Sequence, residues 1–355
     1  MPNINVDYLI IGQGLAGSLI SFKLINSGAR VLVFDAKHKG SASKVAAGII
    51  NPITGHRWNL TENFHDYLTA AKSFYATIEE TLECELLRPV KQTRLIKNEG
   101  QSEYFEKRLK QANYQSLLKT VNQAPLKNTG FGFAEIAQSY HLNSQNLLDY
   151  MSKWLRLQDS IKCEPFDYDA LKINAEEVQY RCRNNELISA KKVVFCEGYQ
   201  AINNPWLKDL PFKLAKGSVL EICAEQNKAI DSETMSLLNW GHWLLVDAQN
   251  HARLGSTYDW NDTSIDASND NQQKLLNSLY KYSGLRAQVI THKTGVRPTT
   301  KQRQPFVGAL SNLQHAYCLN GLGSKGCLIA PYYVDLLVQH MHNNSPLPAE
   351  LKQWL

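Results

Sequence analysis

Three glycines and one aspartate near the start of the chain are spaced for chemistry on a phosphate. Gly12, Gly14 and Gly17 lie in the run Gly12-Gln13-Gly14-Leu15-Ala16-Gly17, and Asp35 follows about 18 residues after Gly17, close to the spacing of a ribose-binding acid. Gly12 lets the chain reverse tightly, Gly14 lets backbone N–H groups approach a pyrophosphate with no Cβ in the way, and Gly17 lets a helix pack closely on its strand. Leu15 and Ala16 open that helix, whose N-terminal partial positive charge faces the phosphates. Asp35, followed by Ala36, ends the next strand, where a carboxylate accepts hydrogen bonds from ribose hydroxyls and repels a phosphorylated ribose. The pattern selects a dinucleotide without saying which one.

The elements that must hold these residues can be read around them. Residues 6–11 are a short β-branched run, as a buried parallel strand requires, and residues 31–34 repeat it. The segment between them predicts a helix, ended by Gly28 in a left-handed conformation. Residues 61–82 carry apolar side chains at helical spacing, from Phe64 through Leu68, Ala71, Phe74, Tyr75 and Ile78. Residues 85–98 predict strand, with Pro89 arguing for an edge. Residues 101–118 read as a polar surface helix, and 145–157 as an amphipathic helix with Asn143 or Ser144 at its N-cap.

Strands are expected again around 171–188 and 191–196, the latter ending at Gly198. Alternation in 211–222, 243–246 and 252–257 predicts an antiparallel sheet. Trp240, His242, Trp243, Tyr258 and Trp260 crowd these strands, where core packing and strand propensity account for each aromatic taken singly.

Composition narrows the class. A chain of 355 residues buries a large core and divides into two domains. A net charge of +5, with no long run of like charge, gives little support to nucleic-acid or membrane binding. No apolar stretch has the length of a membrane span, and no secretory pattern opens the chain, so a cytoplasmic protein is expected. The seven cysteines are odd in number and form no CxxC pair, which argues for reduced thiols and against a disulfide frame or zinc site.

Three further segments carry candidate chemistry. Residues 39–52 contain Ser41, Ser43, Ala47, Gly48 and Ile49, small residues and hydroxyls suited to a backbone lying close to a large flat ligand. Taken alone, the segment reads equally as a loop and a helical turn. Thr294-Gly295-Val296-Arg297-Pro298 is followed by Pro305 and Gly308. Finally, Asn320-Gly321-Leu322-Gly323-Ser324-Lys325-Gly326 precedes a helix through Tyr333, Leu336, Leu337 and His340.

Taken in order, these motifs resemble the FAD-dependent amine oxidoreductases typified by glycine oxidase, D-amino-acid oxidase and sarcosine oxidase. The resemblance implies an α/β fold, a Rossmann-like FAD-binding domain of glutathione-reductase type with an inserted antiparallel-sheet substrate domain. It assigns residues 1–83, 138–205 and 299–355 to the FAD domain, and 84–137 and 206–298 to the substrate domain. It further implies that Gly12, Gly14, Leu15, Ala16, Gly17, Asp35 and Ala36 hold the adenosine and pyrophosphate. Ser41, Ser43, Ala47, Gly48 and Ile49 would run beneath the isoalloxazine, and Gly198 would lie near the adenine half.

In the same family the arginine matching Arg297 pairs with a substrate carboxylate, and a residue at the place of Tyr258 lines the pocket. Gly321, Gly323, Ser324, Lys325 and Gly326 would approach the pyrimidine edge of the flavin, with Lys325 reinforcing negative charge there or facing solvent. Glycine oxidases carry arginine at about the place of Ser324, a departure that leaves the substrate open. The implied reaction is oxidation of a C–N bond in a small amino acid or amine bearing a carboxylate, with oxygen or another acceptor reoxidising FAD. Two alternatives stand beside it: a 2-hydroxy acid or modified tRNA base as substrate, and a non-catalytic or electron-relay flavoprotein subunit.

Overall fold

The first sheet owes its position to strands that are apolar on both faces. In the computed structural model, which describes residues 3–124, 126–127, 129–224, 235–246, 251–311 and 313–352, Asn3–Ile11 pairs in parallel with Val31–Phe34 and Leu187–Phe195. Ile161–Lys162 extends the parallel run beyond Val31–Phe34, and Ala316–Asn320 extends it beyond Leu187–Phe195. Side chains alternate across this sheet as the pleat demands. Tyr8, Ile10, Val31 and Val33 enter one core with the helices Leu15–Asn26, Phe64–Leu82, Ser144–Leu157 and Gly326–Asn343. Leu9, Ile11, Leu32 and Phe34 enter another with the hairpin strands Leu171–Ile173 and Val178–Arg181. Both faces are therefore covered, and the runs are continuously apolar for that reason.

The second sheet has eight strands in the order Ala287–Thr300, Phe212–Ala224, His251–Gly255, Trp243–Val246, Ser236–Asn239, Lys91–Leu95, Phe133–Ile136 and Leu118–Val121. It is antiparallel except at one join, where Ser236–Asn239 runs parallel to Lys91–Leu95. Strands from two stretches distant in sequence meet there. Leu220, Ile222, Leu244 and Leu254 pack on Leu275 and Leu279 of the helix Asn269–Ser283.

Several expectations about elements need correction. The helix expected over 101–118 is Glu99–Leu109, followed by a short turn and the strand Leu118–Val121, because those last residues pair with Phe133–Ile136. The proline-broken run splits between sheets: Leu87–Pro89 edges a small three-stranded sheet, while Lys91–Leu95 is interior to the large one. The last long helix starts at Gly326, so that Pro331 lies inside it. Proline there has no N–H for the carbonyl four residues back, that of Cys327. Tyr75 supplies the missing donor, its hydroxyl donating to Cys327 O at 2.9 Å. Among the described residues no helix is long and apolar enough to cross a membrane.

Candidate active site

A cavity of about 470 Å³ runs from the C-terminal end of Asn3–Ile11 to the strand carrying Arg297. At one end the opening strand finishes as Gly12 N donates to Phe34 O at 2.7 Å. A Cβ on Gly17 would overlap the Gly12 carbonyl oxygen, so only glycine lets the helix Leu15–Asn26 start this close to its strand. The N-cap residue Gly14 has no side chain to cap that helix, and Leu15 N donates instead to Ser43 Oγ at 3.1 Å. Asp35 is held at the strand tip, its two oxygens accepting from Gln13 N at 3.2 Å and Lys37 N at 3.1 Å. Gln13 itself turns inward, donating to Ser18 Oγ and Leu148 O, both at 3.0 Å. This buried amide anchors the turn, and nothing in the glycine pattern announced it.

Ser41 bridges to Val296, and Val296 N donates to Gly40 O at 3.0 Å, which ties the serine segment to the Arg297 strand. Arg297 lies across Gly217, where a Cβ would collide with both terminal guanidinium nitrogens. Its guanidinium carbon is 4.1 Å from the centroid of the Tyr258 ring. Nη1 makes long hydrogen bonds to Thr257 O at 3.3 Å and Lys216 O at 3.5 Å. No carboxylate among the described residues pairs with it. Burial pulls its pKa below the ordinary arginine value, while Tyr258 opposes the change. A largely buried cation without an anion therefore faces the cavity.

The cavity brings together Gly12, Gly14, Leu15, Ala16, Asp35, Ala36, Ser41, Ser43, Ala47, Gly48, Ile49, Gly198, Tyr258, Arg297, Gly323, Ser324 and Gly326. Three residues singled out in the sequence lie outside its lining. Gly17 acts in the helix packing described above. Gly321 abuts Thr300, whose methyl would lie 2.6 Å from an added Cβ. Lys325 points its ammonium to Thr61 Oγ1 at 3.1 Å, where burial and then Arg303 lower its pKa. It is the N-cap residue of the helix Gly326–Asn343 and makes no side-chain bond to that helix, so the N-termini of two helices border the cavity.

Glu197 is the lining residue whose chemistry sequence reading missed. Its oxygens accept from the Tyr168 hydroxyl and, at 2.7 Å, from Asn204 Nδ2. Its exposed surface opens onto the cavity, yet its surroundings are deep in the protein. Burial pushes its carboxyl up to about 7 against these two hydrogen bonds, which lower it. The signal available was a carboxylate placed between a strand end and Gly198.

Solved structures share this architecture. Iminodiacetate oxidase from Chelativorans sp. BNC1 superposes with a TM-score of 0.78 at 18% identity, covering 98% of each chain. Glycine oxidase from Geobacillus kaustophilus gives 0.80 at 16% identity, again over 98% of each chain. In sequence, the uncharacterized oxidoreductase YurR of Bacillus subtilis is 22% identical across 92% of both chains. A shorter likeness, 32% over 108 residues, reaches the tRNA 5-methylaminomethyl-2-thiouridine biosynthesis bifunctional protein MnmC of Polaromonas naphthalenivorans, covering 28% of this chain and 17% of that one. Residues 7–339 match the family model of the FAD dependent oxidoreductases, DAO, and the chain belongs to that FAD-dependent enzyme family.

Proposed function

We propose that the enzyme oxidises the C–N bond of a small amino acid or amine bearing a carboxylate. The observation that carries the reading is Arg297, a cavity-lining guanidinium that, among the described residues, hydrogen-bonds to backbone carbonyls and lies on one aromatic face. Its fork matches a carboxylate in direction and number of donors, and an incoming anion offsets the cost of its burial.

The cavity suits FAD on features of the chain itself. Gly14 lines it, and a Cβ there would meet no protein atom nearer than Ser43 Oγ at 3.5 Å, so its missing side chain serves the cavity and not the fold. The Gly12–Gly17 turn and the helix start at Leu15 and Ala16 would hold the pyrophosphate, with Ser41 and Ser43 adding hydroxyls. Asp35, beside Ala36, would take the ribose hydroxyls, and Gly198 would border the adenosine half. Ala47, Gly48, Ile49, Gly323, Ser324 and Gly326 would flank the flavin ring. When bound, FAD supplies the hydride acceptor.

The protein's part is positional. Arg297 fixes the carboxylate and with it the direction of the α C–H, while Tyr258 covers the guanidinium and limits its access to water. No side-chain base is required for an amine that arrives unprotonated. The division into an FAD domain of 1–83, 138–205 and 299–355 and a substrate domain of 84–137 and 206–298 accompanies this reading. The test is the anaerobic visible spectrum of the holoprotein with D-amino, L-amino, N-methyl amino and 2-hydroxy acids. Bleaching of the flavin band by an amino-acid class supports the proposal; bleaching by hydroxy acids alone would overturn it. The segmental likeness to MnmC favours a modified tRNA base as second reading, for which salt-dependent tRNA retention is the sign.

A further inference from the structure

Tyr258 and Trp260 are large aromatic side chains left 46% and 47% exposed at the side of the cavity where Arg297 lies. Their rings are 5.9 Å apart and tilted by 35°. Lys213 completes the row, its ammonium 4.6 Å from the centroid of the Trp260 ring. The series Arg297, Tyr258, Trp260, Lys213 thus leads from a buried cation inside the cavity, over two aromatic rings, to an exposed cation. Tyr258 lines the cavity, while Trp260 and Lys213 stand beyond it.

The row is built in place. Lys216, itself buried, donates from its ammonium to Asp262 at 2.6 Å and Ser264 Oγ at 2.8 Å. Its backbone exchanges hydrogen bonds with Asp259 at 2.9 and 3.0 Å. These bonds fix the backbone of the loop that carries both aromatic residues, which lowers the ordering cost to a ligand that covers them. Of the two acids in this loop, one is paired with a cation and the other is turned to the loop's own backbone. Asp262 is neutralised by Lys216, and Asp259 Oδ1 accepts from the N–H groups of Asn261 and Asp262. No carboxylate among the described residues pairs with Lys213, and exposed Lys301 and Arg303 follow the strand that lies beside it.

We infer that Trp260 and Lys213 form an outer subsite for a flat ring carrying negative charge, attached to the amine side of a substrate whose carboxylate Arg297 holds. The inference rests on the carboxylate reading above and adds the chemistry of the rest of the substrate. A small amino acid would reach Arg297 and leave both rings wet. An N-substituted one covers them and places its charge beside Lys213.

The test is the apparent dissociation constant of N-methylglycine, N-benzylglycine and N-(4-carboxybenzyl)glycine for the holoprotein, taken anaerobically from the concentration dependence of flavin reduction or, for a compound that does not reduce it, of the flavin spectral shift. The ring is expected to tighten binding by roughly fivefold, and the added carboxylate by roughly threefold more at low salt, the second gain fading as salt rises. Trp260→Ala should collapse the first ratio, and Lys213→Ala the second. Equal affinities for all three compounds in the wild type, or ratios that survive both substitutions, would overturn the subsite while leaving the carboxylate reading intact. Failure of all three to bind would overturn both.

Discussion

Replacing Glu197 by glutamine tests whether the cavity holds a carboxylic acid that is neutral in part of the working pH range. Glu197 titrates at about 7, against 4.5 for the ordinary side chain, because burial outweighs the hydrogen bonds from Tyr168 and Asn204. The folded protein therefore binds more protons here than the unfolded chain between those two values. Stability falls as pH rises through that window, and the loss is complete above it. The shift corresponds to about 3 kcal/mol at most, and to less where water in the cavity screens the charge. For a chain of this length that is at most about 4 °C in melting temperature.

Glutamine keeps the shape and removes the titration, with the Tyr168 hydroxyl free to reverse and accept from the new amide. Scanning calorimetry of the holoprotein across pH 4 to 8.5 should give a variant-minus-wild-type difference that climbs between about 4.5 and 7 and then levels, in the variant's favour. Subtraction removes titrations that the two proteins share. A difference that is flat across that window, or one that climbs only below pH 4.5, would refute the reasoning.

Other substitutions probe the site separately. Gly14→Val should leave the apoprotein folded and abolish stoichiometric flavin binding, because the pyrophosphate approach is blocked; a yellow, fully loaded variant would contradict the role of the turn. Gly217→Ala should push the guanidinium of Arg297 off its seat, raising KM by on the order of tenfold or more with FAD still bound, and unchanged kinetics would count against the seat. Tyr75→Phe leaves the Cys327 carbonyl without its donor beside Pro331 and should cost about 1–3 kcal/mol of stability; a melting temperature equal to wild type would mean the carbonyl finds another partner.

How much of this was legible in sequence depends on whether a feature is local. The strand, glycine turn, helix and Asp35 all lie within residues 6–35, and their physical requirements are met by neighbours in the chain. The antiparallel strands beside Phe212–Ala224 were readable from their apolar runs and turn residues, although Trp243–Val246 is buried on both faces. The helix Asn269–Ser283 was not anticipated: only Leu275 and Leu279 are buried, too thin a stripe to stand out in a polar segment. Pro89 signalled an edge correctly for Leu87–Pro89, yet nothing local told that Lys91–Leu95 crosses into the other sheet.

Among candidate site residues, Arg297 carried a motif, whereas its seat on Gly217 and its cover by Tyr258 come from strands distant in sequence. The direction of Lys325 was not legible because a lysine after a glycine loop has a long reach. Its direction is set by Thr61, which lies in another part of the chain. Glu197 went unassigned because its burial is tertiary and one of its hydrogen-bond partners, Tyr168, lies 29 residues away.

Under the proposed function, catalysis requires a substrate carboxylate held by Arg297. Anaerobic stopped-flow reduction of the flavin by an amino acid and by the same amine lacking its carboxylate, N-methylglycine against dimethylamine or the pair matching the best substrate class, measures this directly. The carboxylated compound is expected to reduce the flavin on the order of a hundredfold more efficiently, the worth of a desolvated charge-assisted pair. Equal efficiency for the two compounds would contradict it.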